Sequence, residues 1–145
     1  MEFLGKVTSG RRYASEVIPA YTHELEDLLT FHPYPGTLNV RLYRPVHLGN
    51  GQLWRGPDDG FARLLVPATI NGIDVFINRW SGCPYLRVDI IAPVNLRETL
   101  SVIDGSSVTI AISPNHLKRL PPRAMLQWGW ELFRRTPPQD GMKRT

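Results

Sequence analysis

At 145 residues and 16.5 kDa, with 42% hydrophobic side chains, the chain has the size and composition of one compact domain built on a single core. Its 12 Gly and 13 Pro favour a turn-rich β fold and fall short of a disordered or collagen-like composition. One cysteine, Cys83, excludes a disulfide framework and a Cys-rich zinc site, while a net charge of +4 and a pI near 9.6 raise the question of a polyanionic partner.

Glu2 to Thr8 and Arg12 to Ile18 are short mixed runs separated by Ser9-Gly10, which predicts two strands joined by a tight connection. From Pro19 to Thr30, Tyr21, Leu25, Leu28 and Leu29 recur at helical spacing with acidic residues opposite, which predicts a helix. His32-Pro33-Tyr34-Pro35-Gly36 stops it, because two prolines remove backbone donors and bias their predecessors toward extended conformations. Thr37 to Leu42 alternates and reads as a half-buried strand, followed by a long irregular connection from Tyr43 to Gly60 in which Trp54 calls for burial.

Leu64 to Thr69 and Ile73 to Asn78 flank Asn71-Gly72, the dipeptide suited to a type I′ hairpin turn. Leu86 to Ile91 is a further strand, Pro93 opens a short helix through Leu100, and Asp104-Gly105 turns into a strand from Ser107 to Ile112. Residues 114–145 differ in character: Pro121-Pro122 precede a helix from Arg123 to Arg135 that carries Met125, Leu126, Trp128, Trp130, Leu132 and Phe133. The expected fold class is mainly β with short helices and a C-terminal helix, divided into a domain of residues 1–113 and an extension of residues 114–145.

No stretch approaches the roughly 20 apolar residues that span a bilayer, and the opening residues lack the apolar run of a signal peptide. A soluble, cytoplasmic chain is expected. Thr37 and Asn39 lie two positions apart on one strand face, with oxygens roughly 6 to 7 Å apart, which suits either backbone hydrogen bonding or part of a Mg²⁺ shell. The four histidines lack zinc spacing, Cys83 has no neighbouring base, and there is no GxxxxGK[ST] or GxGxxG run, which excludes P-loop chemistry.

The run Phe31-His32-Pro33-Tyr34-Pro35-Gly36-Thr37-Leu38-Asn39-Val40, followed by Ile90-Ile91-Ala92-Pro93-Val94-Asn95-Leu96-Arg97-Glu98, closely resembles the archaeal CTP-dependent riboflavin kinases. Gly5 to Gly10 is similar to that family's opening strand and Asp104-Gly105-Ser106-Ser107-Val108 to its closing turn, so the likeness covers about residues 5 to 112. It implies a small closed β-barrel of the riboflavin-kinase-like, cradle-loop type. It further implies a Mg²⁺-dependent transfer of the terminal phosphoryl of CTP to riboflavin, giving FMN. Carried over by position, Thr37 and Asn39 would hold the metal, and Val94, Asn95, Leu96 and Arg97 would line the nucleotide. Ser81 and Asp89 would face the flavin. Asp89 would serve as a base or an orienting group, against the alternative of an ordinary surface carboxylate paired with Arg87.

The chain departs from the family after Ser9-Gly10. Where the family has a glycine-alternating loop whose N–H groups approach phosphates, Arg11-Arg12 follow directly, and about three residues are missing. Either Arg11 and Arg12 clamp the phosphates with Ser9 and Gly10, or nucleotide binding is altered or lost. A second departure, Trp80-Ser81-Gly82-Cys83-Pro84, changes the wall expected beside the flavin. The alternative function is therefore an inactive or diverged barrel that binds a nucleotide, a flavin or nucleic acid as a regulatory or interaction module. A kinase for another nucleoside or sugar is a third reading.

Residues 1–113 hold 10 basic and 11 acidic side chains, whereas residues 114–145 hold 7 basic and 2 acidic. The positive charge belongs to the tail, so nucleic acid is not expected on the barrel, and a polyanion or protein partner would be sought at Lys118, Arg119, Arg123, Arg134 and Arg135. The C-terminal aromatic residues would cover the barrel or a second copy in a homodimer, or else meet a membrane surface or partner protein.

Overall fold

The computed structural model describes residues 1–10, 13–56 and 62–135. Seven strands are present among them: β1 (Glu2–Thr8), β2 (Leu38–Leu42), β3 (Gln52–Trp54), β4 (Arg63–Ile70), β5 (Ile73–Trp80), β6 (Arg87–Ile91) and β7 (Ser107–Ala111). The helices are α1 (Tyr13–Ala20), α2 (Thr22–Leu29), α3 (Leu96–Thr99) and α4 (Pro122–Arg135). None of the described helices is long and apolar enough to cross a membrane.

The strands pair antiparallel in the order β3-β4-β5-β6-β2-β1-β7, and a further β4–β7 pairing closes six of them into a barrel. Closure depends on one edge of β4. Its start pairs with β3, as in Arg63 with Trp54, and its end pairs with β7, as in Thr69 with Ala111 and Ile70 with Ile110. Pro67 falls between these two pairings, where a residue without an N–H leaves no gap in either ladder.

Period-two alternation sorts each strand into an inner and an outer face. Leu38, Val40 and Leu42 of β2, Val75 and Ile77 of β5, and Val88 and Ile90 of β6 point inward and are almost completely buried. The Asn71-Gly72 turn joins β4 to β5 with φ of 47° and 83°, the positive values a type I′ turn requires. Arg79 follows Val75 and Ile77 on the inner face at the end of β5. There its guanidinium donates to the carbonyls of Arg87, Cys83 and Pro84 at 3.2, 3.4 and 3.1 Å, which stitches the β5–β6 turn together. Burial holds its pKa below the usual arginine value.

A second core lies outside the barrel. Ile18 of α1 and Leu25 and Leu29 of α2 pack on Trp54, Leu65 and Ile91, and Tyr21 meets Trp54 edge-on with ring centroids 6.1 Å apart. The expected strand from Arg12 to Ile18 is thus corrected: Tyr13–Ala20 is helical. Helical geometry lets Ile18 share this apolar layer with α2, and that burial outweighs the modest β preference of Val17 and Ile18. The single helix expected from Pro19 to Thr30 is divided at Tyr21, whose backbone (φ −119°, ψ 23°) leaves the helical range; Pro19 lies in the last turn of α1, and α2 runs only from Thr22 to Leu29. Within the long connection, Gln52–Trp54 forms a strand, and Trp54 is buried as its size demands. The short helix begins at Leu96 rather than Pro93, because the Asn95 side chain caps it by accepting from the Glu98 N–H at 3.4 Å.

Gly5 occupies an inward position on β1 where a methyl group would lie 2.5 Å from Val40 Cγ1 and 2.9 Å from the Arg41 carbonyl oxygen. Gly5→Ala is expected to destabilise the barrel by about 1–3 kcal/mol. Thermal unfolding followed by circular dichroism reads this as a lower Tm, and an unchanged Tm would show that β1 and β2 part without penalty.

Candidate active site

The strand register assembles one polar row on the outer face. Thr8 of β1 pairs with Asn39 of β2, Asn39 with Asp89 of β6, and Asp89 with Asn78 of β5. Each belongs to the outward set of its strand because its neighbours in sequence fill the barrel core. Four strands therefore bring together side chains that are up to 81 positions apart in the chain, Thr8 and Asp89.

Asn39 is the centre of this row and is only 7% exposed. With its amide turned to satisfy its surroundings, the nitrogen donates to Asp89 Oδ1 and the oxygen accepts from the Gly10 N–H at 3.2 Å. Gly10 is required by this contact, since a Cβ there would overlap the Asn39 amide. Asp89 lies with its Oδ1 3.6 Å from Arg87 Nε. Burial raises the Asp89 pKa above the ordinary carboxylate range, and the charges of Arg87 and Arg79 only partly oppose this. Beside it, Asn78 Oδ1 is buried and has no hydrogen-bond partner among the described residues.

Thr37 immediately precedes β2 and borders a cavity of about 140 Å³ together with Tyr34, Val94, Asn95, Leu96 and Arg97. The structure thus joins the two sequence segments expected to bind metal and nucleotide. Their side chains also have structural work. Leu96 is buried in the barrel core, and Asn95 caps α3 and donates to the Tyr34 hydroxyl at 3.1 Å. Val94 is exposed at 38%. Arg97 Nη2 donates to Asp104 Oδ1 at 2.8 Å and to the Thr8 carbonyl at 3.1 Å, while the Ser9 hydroxyl donates to the other Asp104 oxygen. The Ser9 hydrogen bond, followed by that of Arg97, holds the exposed Asp104 carboxyl below its ordinary pKa. Asp104 therefore clasps the end of β1 to the segment leading from α3.

Ser81 lies in the β5–β6 turn, on a separate cavity of about 580 Å³ that Arg79, Cys83 and Tyr85 also line. Asp89 does not border that cavity. Arg11 and Arg12 lie outside the described residues. Burial pushes the Cys83 thiol up to about 11, which leaves it protonated at neutral pH. No group of three or more His, Cys, Asp or Glu able to hold a metal occurs among the described residues. The hydroxyl of Thr37 and the amide oxygen of Asn39, which keeps a second lone pair beyond the one that accepts from the Gly10 N–H, are hard neutral oxygen donors. They fit Mg²⁺, which takes one or two protein oxygens and completes its shell with phosphate and water.

Sequence reading alone missed Asn78 and Thr8. Counting outward from the Asn71-Gly72 turn pairs Leu65 with Asn78 and places Asn78 on the outer face, but its meeting with Asp89 requires the β5–β6 register.

These features define a closed barrel whose polar site lies on the outer sheet face, beside a loop and a capped helical turn, rather than in the lumen. The sequence profile of the CTP-dependent riboflavin kinase family, described as Domain of unknown function DUF120, matches residues 6–112, and the chain belongs to this family. It is 35% identical to a riboflavin kinase of Methanocella arvoryzae over 74% of this chain and 55% of that protein. It is 30% identical to a riboflavin kinase of Pyrobaculum aerophilum over 77% of this chain and 60% of that one. A riboflavin kinase of Sulfurisphaera tokodaii is 33% identical over 74% of this chain and 92% of its own length. The chain thus spans little more than half the length of the Methanocella and Pyrobaculum proteins.

The raised pKa of Asp89 has a consequence for stability. A carboxyl that binds its proton more tightly in the folded than in the unfolded chain makes ionisation oppose folding. Stability conferred on the protonated form therefore declines as pH rises from the unfolded carboxylate range through the folded pKa of Asp89. Asp89→Asn should remove that decline, so urea unfolding from about pH 3 to about pH 7 should show the variant gaining on the wild type as pH rises. Parallel curves would place Asp89 in a solvated setting.

Proposed function

We propose that the chain is a Mg²⁺-dependent phosphotransferase that moves the terminal phosphoryl of CTP to the ribityl primary hydroxyl of riboflavin, giving FMN and CDP. The observation that carries this reading is the Asn39 amide held between the Gly10 N–H and the Asp89 carboxyl, beside Thr37 and the cavity of residues 94–97. Membership of the family and the names of the relatives support it. Residues 1–113 would form the catalytic barrel and residues 114–145 an extension to it.

In this reading Thr37 and Asn39 would hold the metal, whose positive charge would offset that of the transferring phosphoryl group. Asp89 accepts a hydrogen bond from the ribityl hydroxyl and takes its proton as that oxygen bonds to phosphorus and the bond to CDP breaks. Burial makes the Asp89 carboxylate a stronger proton acceptor than a solvated one, and Asn39 and Arg87 orient it. The unsatisfied Asn78 oxygen is an acceptor for a second hydroxyl of the same polyol. The Asp104 clasp steadies Ser9 and Gly10, and Ser81 would contact the flavin from the turn. Most of the rate enhancement then comes from positioning and charge neutralisation.

One observation favours a second reading, a barrel that binds these ligands without turnover. Arg97, the cation expected on the nucleotide, is already bonded to Asp104 and the Thr8 carbonyl. Incubation with riboflavin, Mg²⁺ and each of CTP, ATP, GTP and UTP, with chromatography for FMN, decides between them. FMN is expected with CTP. Asp89→Asn should lower the rate by about 10²–10⁴-fold, and Gly10→Ala, which displaces Asn39, should lower it by about tenfold or more. No FMN with any nucleotide, together with thermal stabilisation by FMN or CDP, would replace the kinase with the binding module.

A further inference from the structure

Helix α4 lies beyond residues 6–112, the span matched by the family. It is nevertheless fixed against the barrel at several points. Arg123 Nε donates to the Tyr85 hydroxyl at 2.9 Å, the Tyr85 N–H donates to Gln127 Oε1 at 3.2 Å, and Trp128 Nε1 donates to the Tyr43 carbonyl at 3.0 Å. Ala124 is completely buried. These contacts leave a cavity of about 530 Å³ whose lining includes Thr8, Ser9, Arg41 and Arg87 from the barrel and Gln127 and Trp130 from α4. Its volume lies in the range of small-molecule sites.

The barrel side of this cavity is basic: Arg41 and Arg87 line it, and Lys6 continues their row beyond the lining. Lys6 pairs with Arg41 and Arg41 with Arg87, so three cations cross β1, β2 and β6 in one row. Each lies two residues from Thr8, Asn39 or Asp89 on the same outer face, so the basic row runs parallel to the polar row at a distance of roughly 6 to 7 Å. Trp130 is 61% exposed although it is the largest apolar side chain facing this cavity. An exposed indole beside a row of cations matches a ligand with a planar ring for stacking and a phosphate for charge.

We propose that α4 is the outer wall of the substrate cleft and that Trp130 is a stacking platform for a planar heterocycle bearing phosphate, whose charge the Lys6–Arg41–Arg87 row attracts. The choice of ligands rests on the kinase reading, in which that chemistry is supplied by a flavin phosphate or by a cytidine nucleotide. Trp130 would then set affinity for the ring, and the cationic row would set affinity for the charge.

Binding of FMN, riboflavin and CDP to the full chain, measured by titration calorimetry, tests this. Trp130→Ala is expected to weaken FMN or CDP by about tenfold or more, Trp130→Phe to restore most of the affinity, and Leu126→Ala to change nothing. Leu126 is an exposed residue of the same helix that does not line the cavity. Lys6→Gln and Arg41→Gln should weaken FMN more than riboflavin and flatten the salt dependence of FMN binding. A folded Trp130→Ala variant that binds all three ligands as the wild type does would overturn the proposal. Trp130-dependent binding without any FMN formation would remove the kinase and keep the cleft, whereas FMN formation unaffected by Trp130→Ala would keep the kinase and remove the cleft.

Discussion

Strand β2 is hydrogen-bonded along both edges, to β1 and to β6, and its inner residues Leu38, Val40 and Leu42 are sealed in the barrel core. It has no freedom to slip, because a shift of one residue would turn Asn39 and Arg41 into that core and expose the leucines. The position of every group in the site follows from this constraint. Asn39 must face outward, and the registers of the neighbouring strands deliver Thr8 on one side and Asp89 on the other. The close approach of Gly10 to the Asn39 amide then ties the loop after β1 to the same strand.

The outer surface of the barrel is divided by what covers it. Helices α1 and α2 bury its apolar part over Trp54, Leu65 and Ile91, and the polar row begins where that layer ends. Asp89 therefore sits at a boundary, where burial raises its pKa and the charges of Arg87 and Arg79 partly oppose the rise. At the far end of β5, Arg79 uses its guanidinium on three carbonyls, a structural role that removes it from ligand chemistry. Helix α4 approaches from the other side, so the row lies between two helical layers that come from opposite ends of the chain.

Much of the barrel was legible because its signals are local. The Asn71-Gly72 turn, the alternation of β2, and the PYPGTLN and IIAPVNLRE segments each depend on residues within a few positions of one another. Tyr13–Ala20 was not legible, since Val17 and Ile18 suit a strand until α2 and Trp54 supply an apolar surface for a helix. The clasp of Ser9 and Arg97 on Asp104 was equally hidden, as nothing near Asp104 in sequence marks it as a partner of Ser9, 95 positions away.

The sequence by itself determined the alternation of the strands, the turn types, and which segments belong to the family, because these follow from steric preferences and side-chain order over short distances. Only the tertiary structure decided that Thr8, Asn39, Asp89 and Asn78 form one row, that Arg97 is bound to Asp104, and that Trp130 of α4 faces Arg41 and Arg87 across a cavity. These are matters of register and closure, and they are set by how the whole apolar surface is buried at once rather than by any single stretch of chain.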